Sequence, residues 1–303
     1  MGIASTSDLL NEQWKEQQED YPLHLIVSRM MFVYGDSDEP LNICQEFMLD
    51  LLYKQLKMLL DKAHKLSIER HSPSVGFPEF MFAFRRHPLL IRKLIGYMRL
   101  VDLMPAIFRE EEQKIDDSED ILPLSSSSSL NIQNSNSLDD LMKLKNTSKV
   151  IAAVRFIDVM DHLLADIDEQ SLNAAKMERM RRMELRTRQM EAEEYERFAE
   201  ARRMSFCNWT GRRTAKSAAK FLQWVEAPPV AEGVADALNF CATEIMAIIT
   251  ESAVFCRNEE NNRTMEKRTD DRTSKALSIR HYEEAVQRNR GYAKRKDILF
   301  GYW

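Results

Sequence analysis

Two stretches of this chain, Leu23 to Asp102 and Phe221 to Arg290, set out the same elements in the same order. Each has a short amphipathic segment, a long helix with one apolar face, a brief extended stretch and another short helix. A long helix with one bare apolar face must cover it with something. Two such units in one polypeptide therefore predict a chain that carries its own partner.

With 303 residues, 44% of them hydrophobic, the chain can bury two small domains or one paired domain with linkers. It has only eight glycines and nine prolines, and period-two runs of β-branched residues are scarce, so the expected fold class is all-α. The formal net charge of -5 argues against wrapping DNA, which requires many phosphates to be neutralised. Cys44, Cys207, Cys241 and Cys256 form no CxxC pair and, with the histidines, no zinc spacing; free buried thiols, no metal and no cofactor are expected. Residues 1–18 are polar and show no secretory apolar core, which points to a reducing, intracellular setting. The least charged stretch, Ala235 to Cys256, is interrupted by Asp236, Asn239, Glu244 and Glu251 and reads as a buried helix, not a membrane span.

In the first copy, Leu25, Ile26, Met30 and Val33 share a face of a short helix closed by Gly35. A loop, Asp36-Ser37-Asp38-Glu39-Pro40, leads into about seven turns of helix with Ile43, Phe47, Leu51, Leu52, Leu56, Leu59, Ala63 and Leu66 on one face. Val75 to Phe77 is extended, Pro78 opens a short helix through Arg86, and His87-Pro88 starts a further helix ending near Pro105. Residues 109–149, with acidic clusters and a five-serine run, form a tether expected to be disordered. Val150 to Ile167 and the charged run Met177 to Arg203 are helical within a connecting region, 150–216.

The second copy, 217–290, begins at Ser217 to Glu226. Val234, Leu238, Cys241, Ile245, Ile248, Ile249 and Phe255 line its long helix, residues 258–275 form a loop insertion, and Ala276 to Ile279 leads into a closing helix through Arg290. Residues 1–20 form a polar N-terminal segment, 21–108 the first copy with its extra helix, and 291–303 a tail with a basic Lys294-Arg295-Lys296 cluster and the apolar end Leu299-Phe300-Gly301-Tyr302-Trp303.

Short, long, short is the histone-fold order, and three patches add a family resemblance. Met31-Phe32-Val33-Tyr34-Gly35-Asp36 with Glu39-Pro40-Leu41 is the first. The second runs from Glu178-Arg179-Met180 through Thr187-Arg188-Gln189-Met190 and Glu194-Tyr195 to Glu200-Ala201-Arg202-Arg203-Met204-Ser205-Phe206 and Lys220-Phe221-Leu222-Gln223-Trp224. The third is Arg280-His281 with Glu283-Glu284-Ala285. On these the chain resembles the two-histone-fold subunit of the SAGA coactivator, a transcription initiation protein of the suppressor-of-Ty class, and each copy is similar to one of a pair of small TFIID histone-fold subunits.

The resemblance implies an intramolecular histone-fold pair in the nucleus, without catalytic residues, that works with other SAGA subunits and presents the TATA-binding protein at RNA polymerase II promoters. The expected pairing core is Ile43, Phe47, Leu51, Leu56, Leu59, Val234, Leu238, Ile245 and Ile249. Val75 to Phe77 is expected near Ala227 to Val230, and Leu277 to Ile279 near Asp36 to Pro40. Glu244 and Glu251 share a helical face and are the candidate contact for the TATA-binding protein; no membrane or small-molecule substrate is expected. His281 is expected to cap or pack, and Trp14, Trp224 and Trp303 to pack. The alternative is a DNA-binding doublet histone, using the arginines from Arg181 to Arg213, but the acidic first loop would repel phosphate and glutamates interleave the arginines.

Overall fold

Because the apolar positions recur with helical spacing, nearly every described segment is helix. The computed structural model describes residues 21–116, 141–158, 163, 169–209, 214–264, 276–290, 296, 297, 299, 301 and 302. The chain divides into two compact units, one from residues 1–62, 177–228 and 238–303, the other from 63–176 and 229–237.

The first unit opens with α1 (Leu23–Tyr34), which buries Ile26, Val27, Met30, Met31 and Phe32. Its stop is Gly35, at φ +121°, where a Cβ would lie 2.9 Å from the Val254 side chain. The Asp36 N–H closes the turn onto the Met31 carbonyl. α2 (Asn42–Glu69) follows, with Cys44, Met48, Leu51, Leu52, Leu56, Leu59 and Leu60 buried. Ile43 is a correction: it is 55% exposed, because the helix begins at Asn42 and the buried stripe starts one residue later, at Cys44. Phe47 is half-buried.

The first part of α2 meets the closing end of the second copy, and its later part meets the opening end. Cys44 Sγ donates to the Leu277 carbonyl at 3.4 Å, and the Phe47 ring lies 6.5 Å from Tyr282. Further along, Tyr53 lies 6.4 Å from Trp224, and Lys57 Nζ donates to the Glu226 carbonyl at 2.9 Å. Tyr282 belongs to α10 (Ile279–Arg290) and Trp224 to α8 (Ala215–Trp224), whose first turn is capped by the Thr214 hydroxyl. Trp224 packs as expected, its ring parallel to Phe206 at 5.6 Å, with Phe221 stacked beside both. Trp14 and Trp303 lie outside the described residues.

α9 (Val234–Thr264) is the long helix of the second copy. It runs into the stretch expected to be a loop, so only 265–275 of that insertion falls outside the described residues. The helix continues because residues 258–264 contain neither glycine nor proline to stop it. By length and composition Val234–Asn261 could cross a membrane, yet 67% of its apolar window is buried in the fold, as suits a core helix. Val234, Leu238, Ile245 and Ile249 are buried, whereas Phe255 is exposed with the Arg288 guanidinium 5.8 Å from its ring.

The connecting run is two helices, α6 (Glu169–Thr187) and α7 (Ala192–Ala201), not the continuous one expected. The break lets α7 pack on α1, where Phe198 meets Phe32 edge to face at 5.6 Å. At the tail, β1 (Lys296–Asp297) pairs antiparallel with β2 (Gly301–Tyr302).

In the second unit, Val75 forms a parallel bridge with Val230. Its N–H donates to the Pro229 carbonyl at 2.8 Å and its carbonyl accepts the Ala231 N–H at 2.9 Å. Gly233, at φ +88°, has no room for a Cβ, which would sit 2.9 Å from Asn146 Oδ1 and 3.0 Å from the Phe77 ring. α3 (Phe77–Met81) is held by Glu79, a buried carboxylate that accepts the Gly76 N–H at 2.9 Å and pairs with Arg70. A 3-10 turn (Phe82–Phe84) leads to α4 (Pro88–Asp116). Pro105 does not end α4; proline removes one ladder hydrogen bond there and the helix continues to Asp116, into the stretch expected to be disordered. Residues 117–140 lie outside the described residues.

α5 (Lys145–Ile157) packs on α3 and α4, burying Val150, Ile151, Ala153 and Val154. It starts five residues earlier than expected and ends at Ile157; of the rest of the expected span, 159–162 and 164–167 lie outside the described residues. Asp102 sets the start: its carboxylate accepts the N–H groups of Asn146 and Thr147, at 3.1 and 2.9 Å, and the Thr147 hydroxyl at 2.8 Å. A carboxylate from α4 thus satisfies the orphan donors of the α5 N-terminus.

Candidate functional site

Asp36 stands at the junction between the first loop and the extended stretch before α10. Its carboxylate accepts three donors, the Leu277 N–H at 2.8 Å, the Tyr282 hydroxyl at 2.7 Å and the Ser37 N–H at 2.8 Å. Burial pushes its pKa up from the ordinary carboxylate range, and the donated hydrogen bonds, that of Leu277 first, hold it partly back. Tyr282 is raised well above the usual phenol range, first by burial and then by the neighbouring Asp36 charge. The Cys44 thiol is pushed up to about 11, again chiefly by burial, so it is a neutral donor and not a nucleophile.

Arg186 of α6 reaches the same place from outside. Its two terminal nitrogens donate to the Val33 and Asp36 carbonyls, both at 3.1 Å, and its guanidinium lies 5.0 Å from the Phe32 ring and 5.4 Å from the Phe198 ring. The carbonyl ends of α1 are thereby satisfied by a cation.

Arg179, two turns earlier on α6, is the partner of the two candidate glutamates. Its Nη1 lies 3.2 Å from Glu244 and its Nε 2.9 Å from Glu251, while Arg182 reaches Glu251 at 3.1 Å. Burial pulls the Arg179 pKa down, and the carboxylates of Glu244 and Glu251 more than reverse this. Glu244 is only 8% exposed. These carboxylates share a face of α9 as the spacing requires, but that face is covered by α6. Both glutamates thus hold the connecting helix in place through Arg179 and Arg182. An Arg179→Ala chain should lose about 2 kcal/mol of stability in a denaturant titration, because two partly buried carboxylates lose a shared cation.

Sequence reasoning singled out Glu244 and Glu251 but gave Arg179, Arg186 and Asp36 no part in any site. The signal was present: Arg179, Arg182 and Arg186 recur at three- and four-residue spacing, and Asp36 follows a helix-closing glycine.

Four more of the arginines between Arg181 and Arg213 have carboxylate partners. Arg181 and Arg182 pair with Glu178, Arg188 with Glu184, and Arg197 with Asp38 of the first loop. Such pairing competes with phosphate for the same cations. His281 does cap: its Nδ1 accepts the Ser278 N–H at 3.1 Å, and its Nε2 lies 3.0 Å from Glu260. Among the described residues no group of three or more His, Cys, Asp and Glu could hold a metal ion.

Residues 23–115 match the family model of the transcription initiation factor IID 18kD subunit. The chain is also similar to a protein of Schizosaccharomyces pombe named SAGA complex subunit Spt3, with 23% identity over 239 residues, covering 77% of this chain and 72% of that one. A Drosophila melanogaster protein of the same name is 23% identical over 254 residues, 82% of this chain and 57% of the relative.

Proposed function

We propose that this Spt3-like histone-fold chain is a non-enzymatic transcription coactivator subunit of a SAGA-type complex in the nucleus, closing its two histone folds on each other and offering a surface to the TATA-binding protein. The observation that carries the pairing is that the two parts of α2 meet opposite ends of the second copy. Cys44 and Phe47 meet Leu277 and Tyr282, and Tyr53 and Lys57 meet Trp224 and Glu226. Opposed long helices with each extended stretch beside the other's first loop would give this arrangement. The Val75–Val230 bridge and the Asp36–Leu277 hydrogen bond support the same reading from the two loop junctions.

Membership of a SAGA-type assembly rests on the two relatives and on the first copy's match to a TFIID subunit. The absence of catalysis is supported by the carboxylates: Glu244, Glu251 and Asp36 spend their oxygens on internal donors. A hydrolytic acid–base pair needs reach to a substrate.

Affinity purification of the tagged full chain from nuclear extract should recover acetyltransferase-complex subunits, and purified TATA-binding protein should be retained by it. Recovery of chromatin DNA without those subunits would overturn the reading. The internal pair is tested separately by expressing residues 1–112 and 150–303 alone and together. Soluble one-to-one recovery is expected only on co-expression, and two independently folded monomers would reject the pair.

A further inference from the structure

The loop after α2 carries a serine-proline pair. Of the nine prolines in the chain, Pro73 alone follows a serine or a threonine. His71 and Pro73 are exposed, with Ser72 half-buried between them, and the three stand outside helix and sheet. A residue before proline is held away from the helical region in an extended backbone, which suits a segment laid into another protein's cleft. The Ser72 hydroxyl donates to the Ser74 carbonyl at 2.8 Å, within the loop itself.

Other serines are placed differently. Ser67 and Ser217 are buried. Ser205 follows Arg202 and Arg203, a spacing that suits an arginine-directed kinase, yet the next two residues, Phe206 and Cys207, are buried and keep that turn in the fold.

The charges beside Ser72 give a modification there a consequence. Arg70 pairs with Glu79, whose side chain is 3% exposed, and its guanidinium lies 4.8 Å from the Phe156 ring. Glu79 in turn accepts the Gly76 N–H at the start of α3. From this we infer that Ser72 is a phosphoacceptor for a proline-directed protein kinase, and that the phosphate acts by drawing Arg70 away from Glu79. In the transfer, Ser72 Oγ attacks the γ-phosphorus of ATP. The Oγ–P bond forms, the bond from that phosphorus to the bridging oxygen breaks, ADP leaves, and the hydroxyl proton passes to a base of the kinase.

A phosphate dianion two residues from Arg70 is a stronger acceptor than one carboxylate. Once Arg70 turns to it, Glu79 is a buried carboxylate without its cation, and the start of α3 loosens. Two further changes act in the same direction. The Ser74 carbonyl loses its donor, and negative charge is added just past the C-terminus of α2, where the helix dipole is already negative. Val75, which bridges to Val230, is three residues from the phosphate, so the loop junction feels the change. The site rests on this loop and holds whichever complex the chain joins.

The folded full chain is treated with a proline-directed kinase and magnesium ATP, the phosphate is located by peptide mass spectrometry, and thermal unfolding is followed before and after. Phosphate is expected at Ser72, at a rate at least about tenfold lower in Pro73→Ala, and the unfolding midpoint should drop by about 3 °C or more. A Ser72→Ala chain treated in the same way should keep its midpoint, which removes the effect of phosphate placed elsewhere. In Arg70→Gln the drop should be less than half as large. Each chain is compared with its own untreated form, so a lower starting stability of Arg70→Gln does not confuse the reading. The inference is overturned by no phosphate at Ser72, by an equal rate in Pro73→Ala, by a midpoint that stays or rises, or by an equal drop in Arg70→Gln.

Discussion

A Leu56→Asp chain should show no cooperative unfolding transition, and its far-ultraviolet circular dichroism should fall well below that of the parent. Leu56 is fully buried midway along α2, with Leu52, Leu59 and Leu60 buried around it. A carboxylate there has no donor to satisfy it, and burying an unpaired charge or protonating it in an apolar site costs on the order of 5 kcal/mol or more. That is comparable to the whole stability of a domain. A Leu56→Met chain, which keeps volume and polarity, should fold with a loss under about 1.5 kcal/mol. If Leu56→Asp unfolded as cooperatively as the parent, α2 would not be a shared core helix.

Asp36→Ala should destabilise the chain by about 3 to 5 kcal/mol in a denaturant titration, because it leaves the buried Leu277 N–H and Tyr282 hydroxyl without their acceptor. Asp36→Asn separates charge from shape. In the folded chain the Asp36 pKa is raised by burial, so the native state holds the proton more readily than the unfolded one. The stabilisation linked to that proton is full below the unfolded carboxylate value and is lost as pH rises through the folded value. The melting temperature of the parent minus that of Asp36→Asn should therefore fall on going from about pH 4 to pH 7. A difference that rises over this range would mean that the three donors outweigh burial.

Much of the helical frame is legible in the sequence, because apolar spacing reports which residues must leave water. Leu51, Leu56, Leu59, Val234, Leu238, Ile245 and Ile249 are buried as the period requires. Ile43 is not, since periodicity locates a stripe but not the turn at which burial begins. Pro105 read as a stop and is not one; a single lost hydrogen bond does not end a helix of 29 residues. Of the candidate contacts, Glu244 and Glu251 were placed on one face correctly, yet the spacing of α9 carries no information about what lies over that face.

Taken alone, the amino-acid order determined the all-α class, the repeated short, long, short layout and the apolar side of each long helix. Those are local properties, set by propensity and by a 3.6-residue period acting within a few turns. Only the tertiary structure decided that Arg179 would occupy Glu244 and Glu251, that Arg186 would close the end of α1, and that Asp36 would receive Leu277 and Tyr282 from 241 and 246 residues away. Hydrogen bonds and ion pairs are short-ranged and directional, so which polar group meets which is settled where separate helices converge. Periodicity likewise marked the apolar side of α4, but it was the packing of α5 that decided which of its leucines are buried, Leu94 among them, and which stay exposed, Leu89 and Leu100.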